Sequence, residues 1–280
     1  MLLLFALEFY SVVSMNFYEF GRLIKITSLP LSPLFFIWYL FILVLIYILC
    51  LGFEILGRTC EILLPYMVVS LVMIFIFTLF SGQFDIDAFL PVLGNGMQPV
   101  LQELPNTIGF PFAEGVVFIV FWHLLDKPQF IRRTAFLAVG LSTLLIMMSV
   151  ISMIAVLGPE LATFSEIPLL EVILTINIAE IITNLDSIAV FIMFIGGFYK
   201  TALHFYACSL IIHWLFSRIK LEWIMIFLGL SYPLFVHFRF PSLAHQRWYA
   251  EVTIYYLHLL FSLLTVLLVI IMSRRDGTIS

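Results

Sequence analysis

Residues 34–53 form an uncharged apolar run, LFFIWYLFILVLIYILCLGF, and such a run limits what the chain can fold into. A helix of about 20 mostly apolar residues is long enough to cross the hydrocarbon core of a bilayer. Hydrophobic residues make up 63% of the 280 positions and charged residues only 11%, whereas a soluble domain has about 25% charged residues. So few charges cannot cover a water-facing surface, which excludes a soluble enzyme, a nucleic-acid-binding protein and a disordered chain.

Similar runs recur along the sequence and predict an all-α integral membrane protein with one polytopic domain over residues 1–280. A membrane β-barrel would need strands of alternating polar and apolar residues, whereas these runs are apolar on every face. The eight predicted spans cover residues 1–20, 34–53, 63–80, 108–125, 132–157, 188–216, 223–238 and 252–272.

The lysine and arginine residues predict the orientation of these spans. Eight spans put both termini on the same side of the membrane, and cytoplasmic segments carry an excess of Lys and Arg. Cytoplasmic termini would place eight such residues inside, namely Arg58, Lys127, Arg132, Arg133, Arg218, Lys220, Arg274 and Arg275. They would place four outside, namely Arg22, Lys25, Arg239 and Arg247. The sequence therefore predicts cytoplasmic termini.

The first span carries three polar residues, Glu8, Asn16 and Glu19. At about 100° per residue, the two glutamates lie within about 20° of each other on one helix face. A polar stripe along a membrane helix predicts a hydrated path, because charges inside a membrane persist when they are paired or line a cavity. Interfacial solvation is the alternative for Glu19, which lies near the end of the span.

The fourth span is interrupted by glycine and proline. Proline lacks an N–H group and disfavours helix at the preceding residue, so we predict a helix broken between Gly109 and Phe112. The half-helix that follows would offer free N–H groups and a positive dipole end to a carboxylate. We predict Gly109, Phe110, Pro111, Phe112 and Glu114 as ligand-binding residues, with Glu114 able to pair with an ammonium group. A re-entrant loop without a ligand is the alternative.

The sixth span places Lys200 near its centre, where a charge costs about 2.5–3.5 kcal/mol. Such a lysine needs an acidic partner, and the glutamates of spans one and four are the candidates. We assign Lys200, Thr201 and His204 to the polar pathway or to an ion site, whereas His213 and His258 are expected to be buried or interfacial. The sequence has no metal-ligand spacing, phosphate loop or catalytic motif, so we predict no enzyme, no metal and no cofactor.

Residues 168–185 connect spans five and six and combine apolar and polar residues at helical spacing. Ile173 and Ile176 fall on one broad apolar face, and Glu171 lies away from it. This pattern predicts an amphipathic helix that lies on the outer surface.

Three stretches carry a family resemblance: LPVLGNGMQPVL (90–101), GFPFAEGVVFIVFWHLL (109–125) and IPLLEVILTINIAEIITNLDSIAVFIMFIGGFYK (167–200). Together they resemble the B subunit of the spore germinant-receptor family, which is related to the amino acid/polyamine/organocation transporters. The resemblance implies a ten-helix inverted-repeat fold of the leucine-transporter type, whose broken first and sixth helices hold the ligand between them. Span four then corresponds to the sixth helix and span one to the third. We therefore expect eight of the ten helices here, from a chain that is truncated or whose start is misassigned.

The resemblance also implies a function. It points to a nutrient germinant receptor subunit in the spore inner membrane, which binds a small nutrient such as an amino acid and helps trigger germination. An A subunit and a lipoprotein C subunit are the implied partners, and nucleic acid is not. Lys200 would lie near the position where sodium-coupled relatives bind an ion, so we expect its ammonium group to replace that ion. An amino-acid permease of the same fold is the alternative, and a membrane scaffold is a third reading.

Overall fold

The computed structural model describes residues 1–125, 127–176, 185–250 and 255–276 and is helical, without strands, in these ranges. A 3₁₀ helix (Phe112–Leu124) follows α4, and two short 3₁₀ turns cover Asp87–Phe89 and Pro128–Phe130. The α-helices are α1 (Leu2–Thr27), α2 (Leu34–Cys50), α3 (Phe53–Phe80), α4 (Gln98–Gly109), α5 (Ile131–Phe164), α6 (Pro168–Thr175), α7 (Asp186–Leu215), α8 (Leu221–Arg239), α9 (Leu243–Tyr249) and α10 (Tyr255–Asp276).

Five helical segments in the described ranges are long and apolar enough to cross a membrane. They are Phe53–Phe80, Gln98–Leu124, Ile131–Phe164, Ser187–Leu215 and Leu221–Arg239. Two apolar helices are shorter, Leu34–Cys50 and Tyr256–Leu268, and α1 lies outside the set of five. An all-α membrane protein is therefore confirmed. The eight spans, the single domain and the ten-helix inverted repeat stay predictions.

The main core forms where α1 packs against α7, with α2 and α8 alongside. Phe17 of α1, Phe205 of α7 and Tyr232 of α8 are completely buried in it. The rings of Phe17 and Tyr232 stack with centroids 5.4 Å apart. Aromatic pairs of this kind add about 0.5–1.5 kcal/mol beyond the area that they bury, so α1 has a fixed position at the centre of the bundle.

Close approach of α1 and α2 depends on Gly21. The indole N–H of Trp38 in α2 donates a hydrogen bond to the carbonyl oxygen of Phe17, at 2.8 Å. A Cβ atom at Gly21 would overlap Trp38 Nε1. The absence of a side chain at Gly21 therefore makes room for the indole ring.

Helices α3 and α5 lie at the outside of the bundle. Large apolar side chains along them are exposed, among them Ile62, Val69 and Phe80 in α3 and Phe136 and Leu144 in α5. Helices that are apolar on all faces and exposed along their length are suited to contact with lipid.

The connection over residues 168–185 begins with a helix. Helix α6 covers Pro168–Thr175 and ends before Ile176, whose backbone is extended. Ile173 and Ile176 are buried and Glu171 is exposed, as the amphipathic pattern predicts. The rest of the predicted helix, residues 177–184, lies outside the described residues.

Candidate functional site

The predicted break in the fourth span is present. Helix α4 ends at Gly109, and Phe110 adopts an extended backbone with φ −140° and ψ 127°. After Pro111 the chain continues as a 3₁₀ helix, not as the α-helix that the sequence analysis assumed. A 3₁₀ helix of 13 residues is unusual, because most such runs are no longer than about four residues. The break near Gly109–Phe112 is thus confirmed, with a different helix type beyond it.

Lys200 of α7 forms an ion pair with Glu114 of the 3₁₀ helix. Its Nζ atom lies 2.9 Å from Glu114 Oε2 and 4.7 Å from the centroid of the Phe110 ring. The acidic partner that a mid-span lysine requires is therefore Glu114. This pair ties α7 to the segment just beyond the break.

His258 of α10 lies between two carboxylates. Its Nε2 atom is 3.2 Å from Glu8 Oε1, and its Nδ1 atom is 3.9 Å from Glu114 Oε1. Only 3% of His258 and 6% of Glu8 are exposed. Glu8, His258, Glu114 and Lys200 therefore form a continuous line of ionisable side chains, which we call the charge chain. Within the described residues, no three His, Cys, Asp or Glu side chains are arranged to hold a metal ion.

A cavity of about 670 Å³ lies beside this line, between α1, the end of α5, α7 and α9. Its volume is within the range of about 300–1,000 Å³ that is usual for small-molecule sites. Polar residues make up part of its wall: Asn16, Glu19, Arg22, Ser165, Glu166, Lys200, Gln246 and Arg247. Three of the predicted polar-pathway residues, Asn16, Glu19 and Lys200, thus share one cavity. Among the described residues that line it, the break residues 109–112 do not appear.

Asn16 and Lys200 are the two cavity residues with the most evident binding capacity. Asn16 is 6% exposed, and its Nδ2 atom has no hydrogen-bond partner in the described part of the chain. A buried donor without a partner costs about 1–3 kcal/mol, so turning the amide toward a ligand acceptor in the cavity would remove an existing penalty. The Lys200 side chain is 29% exposed and faces the same space.

Ion pairs and hydrogen bonds close one side of the cavity. Arg22 donates two hydrogen bonds to the Glu166 carboxylate, at 2.9 and 2.8 Å. Arg247 of α9 donates to the carbonyl oxygens of Phe164 and Ser165. The segment between α5 and α6 is therefore fastened to both α1 and α9. Bidentate guanidinium–carboxylate pairs are among the stronger polar contacts in proteins.

The other two predicted polar residues of α7 bond to their own helix. Thr201 donates its hydroxyl hydrogen to the Gly197 carbonyl oxygen at 2.6 Å, and His204 Nδ1 lies 2.8 Å from the Lys200 carbonyl oxygen. His204 also lines a second cavity, shared with the carboxylates of the charge chain, whose volume is only about 10 Å³. That space holds a single water molecule at most, since one water needs about 10–15 Å³.

Sequence reasoning missed two residues. His258 was expected to be only buried or interfacial, yet it joins two glutamates. Arg239 was assigned to an outer connection, but it lies against α1, where it donates to Ser11 and Ser14 and stacks on three aromatic rings. Ser11 follows Glu8 by three residues and so lies near the polar stripe of the first span, which was the available signal for a polar partner.

These features define a polytopic all-α membrane protein with a polar cavity and a line of ionisable side chains inside its helix bundle. The chain belongs to the spore germination protein family, because the family model described as "Spore germination protein" matches residues 1–239. This confirms the resemblance to the germinant-receptor B subunit and permease family. The family is not an enzyme class.

Two curated relatives come from Bacillus subtilis (strain 168). Spore germination protein KB is 30% identical over 205 residues, which cover 73% of this chain and 55% of that protein. Spore germination protein YndE is 25% identical over 168 residues, which cover 60% of this chain and 46% of that protein. The chain thus spans about half the length of these relatives. No solved structure matches it.

Proposed function

We propose that this protein is a nutrient germinant receptor subunit of the spore inner membrane, which binds a small nutrient and helps trigger germination. Membership of the spore germination family supports the process. The observation that supports nutrient binding is that Asn16, whose amide nitrogen is buried without a partner in the described residues, and Lys200 line one cavity. An amino acid is the proposed nutrient.

The cavity offers both signs of charge that an amino acid needs. The ligand carboxylate would accept hydrogen bonds from Asn16 Nδ2 and Lys200 Nζ, which are two donors on one wall. The ligand ammonium group would pair with Glu19, which is exposed toward the cavity. Recognition of a zwitterion by fixed groups of opposite charge gives specificity, because a ligand that lacks either group leaves a polar side chain unpaired.

The broken helix lies directly behind Lys200 and would respond to the ligand. Lys200 contacts both Glu114 and Phe110, so a nutrient that draws the lysine toward the cavity changes the contacts of the break. We propose that Gly109, Phe110, Pro111, Phe112 and Glu114 form the ligand-responsive segment.

The proposed assembly contains a germinant-receptor A subunit and a lipoprotein C subunit, with the termini of this chain in the cytoplasm. The names of the two relatives support a role in germination. The excess of Lys and Arg in the segments assigned to the cytoplasm supports the orientation.

Alanine at both Gly109 and Pro111 should abolish the germination response, because the two residues that interrupt the helix would be lost. Spores that carry the double variant are exposed to L-alanine and to a mixture of common amino acids, and loss of refractility is followed. Gly140→Ala is the matched control, because a Cβ atom there meets only open space. A normal response of the double variant at normal protein level would contradict the proposal.

The second candidate is an amino-acid permease, which a polar cavity inside a membrane bundle would equally serve. Proteoliposomes that contain this protein alone separate the two functions. Binding without accumulation of labelled amino acid supports the receptor, and saturable accumulation supports the permease.

A further inference from the structure

The charge chain contains more ionisable groups than nutrient binding requires. Glu8 and His258 do not line the large cavity in the described residues, yet they are the most deeply buried members of the chain. We propose that Glu8, His258 and Glu114 form a binding site for one proton, and that the Lys200–Glu114 ion pair sets its proton affinity. This inference rests on the ion pair and not on the nutrient, so it stands or falls separately from the proposed function.

The geometry of His258 supports a shared proton. Each ring nitrogen faces a carboxylate oxygen, at 3.2 Å for Glu8 and 3.9 Å for Glu114. Neither nitrogen makes a well-aligned hydrogen bond within the described residues, although the Gly109 backbone also lies near the ring. A proton on the imidazole or on either carboxyl group would supply the missing donor. It would also relieve the repulsion between two carboxylates that share one site.

The charges in direct contact leave room for this proton. The charge chain contains two carboxylates, Glu8 and Glu114, and one fixed cation, Lys200. With a neutral His258, these four side chains together carry one excess negative charge. An uncompensated charge at a buried position is costly, and such a site takes up a proton instead. One added proton makes the charge chain neutral.

Other charged and titratable groups in the described residues surround the charge chain and influence its charge, but none of them forms an ion pair with Glu8 or Glu114. From α7, His204 directs Nδ1 at the Lys200 carbonyl oxygen and is satisfied as a neutral ring. From α8, Arg239 donates to serines of α1 and forms no ion pair with a carboxylate among the described residues, although its field opposes protonation of Glu8. From α1, Glu19 faces the open cavity and accepts a hydrogen bond from Gln246, and it also lies within the electrostatic field of Lys200 and Glu114.

Lys200 connects the proton site to the cavity. It is the member of the charge chain that lines the large cavity, and its partner Glu114 also lines the small one. If Lys200 turns to an anion in the cavity, the charge chain loses the contact with its one fixed cation, and an uncompensated buried negative charge favours uptake of a proton. When an anion draws Lys200 away from Glu114, the charge chain therefore takes up a proton. This uptake occurs at any pH at which the site holds no proton while the Lys200–Glu114 pair is closed. By reciprocity, a lower pH favours the opened pair.

Removal of the lysine mimics this engagement and provides the test. The full chain is reconstituted in nanodiscs, and the infrared carbonyl band of protonated carboxylic acids is titrated with pH. In Lys200→Met we expect a band midpoint higher by at least about one pH unit, a tenfold gain in proton affinity. Lys25→Met, which removes a lysine at the end of α1, should leave the midpoint unchanged. In the double variant that combines Lys200→Met with Glu114→Gln, the band midpoint should return to that of the wild type.

An unchanged midpoint in folded Lys200→Met, or a shift that persists without Glu114, would overturn the proposal. Glu114→Gln alone gives a second route if Lys200→Met does not fold. It removes one negative charge and leaves Lys200 unpaired, so the remaining Glu8 band should move at least tenfold toward lower proton affinity. A Glu8 band that stays in place in this variant would overturn the proposal as well.

Discussion

Single side chains explain most of what is specific to this bundle. Lys200 lies on a membrane helix, at a position that lipid would not tolerate, and its ammonium group is held by Glu114 at 2.9 Å. The same side chain borders a cavity where Asn16 has an unpartnered amide. One lysine thus joins the broken helix to the space in which a nutrient would bind.

Nutrient response should not depend on sodium, because the Lys200 ammonium group supplies the positive charge that a bound ion would bring. The Thr201 hydroxyl supports this expectation, since its hydrogen is donated to Gly197 and holds the side chain against its own helix. Germination is compared in media in which choline replaces sodium, with potassium and ionic strength held constant. We expect equal rates in both media. Sodium-stimulated nutrient binding would argue that the ion site is intact.

Helices determine where these side chains meet. Helix α1 packs along α7, which brings Glu8 toward the charge chain and Asn16 toward the cavity. The break after Gly109 allows the 3₁₀ segment to present Glu114 to both α7 and α10. The site is therefore sensitive to the placement of α1, which α2 and α8 hold from the other side.

Gly21→Ala should destabilise the protein although alanine is the better helix former. The added Cβ atom would overlap Trp38 Nε1, and overpacking of this kind costs about 1–3 kcal/mol. The free energy of unfolding is measured by chemical denaturation in detergent. Gly140→Ala is the control, and in open space it should be neutral or stabilising by up to about 1 kcal/mol. Equal effects of the two variants would show that the α1–α2 contact is not tight.

Across the complete fold, the features that could be predicted from the sequence are those that lie within a single helix. The apolar helix α2 and the break at Gly109 and Pro111 are local features, and both are present, whereas a membrane span over residues 34–53 stays a prediction. The pairing of His258 with two glutamates was not predictable, because it depends on the rotation of α10 relative to α1. The contacts of Arg239 with the serines of α1 were not predictable for the same reason, because its own segment gives no sign of them.

Binding of a labelled amino acid to the purified, reconstituted chain is the decisive measurement for nutrient recognition beside Lys200. L-Alanine and the other common amino acids are tested against the wild type, Lys200→Met and Asn16→Ala, with Asn106→Ala as the control because Asn106 lies on α4 and bonds to Glu103. We expect saturable binding to the wild type and the control. Loss of a buried ionic or amide contact should weaken it by at least about tenfold, which corresponds to about 1.4 kcal/mol. Absence of binding to the wild type, or unchanged affinity in both cavity variants, would contradict this mechanism.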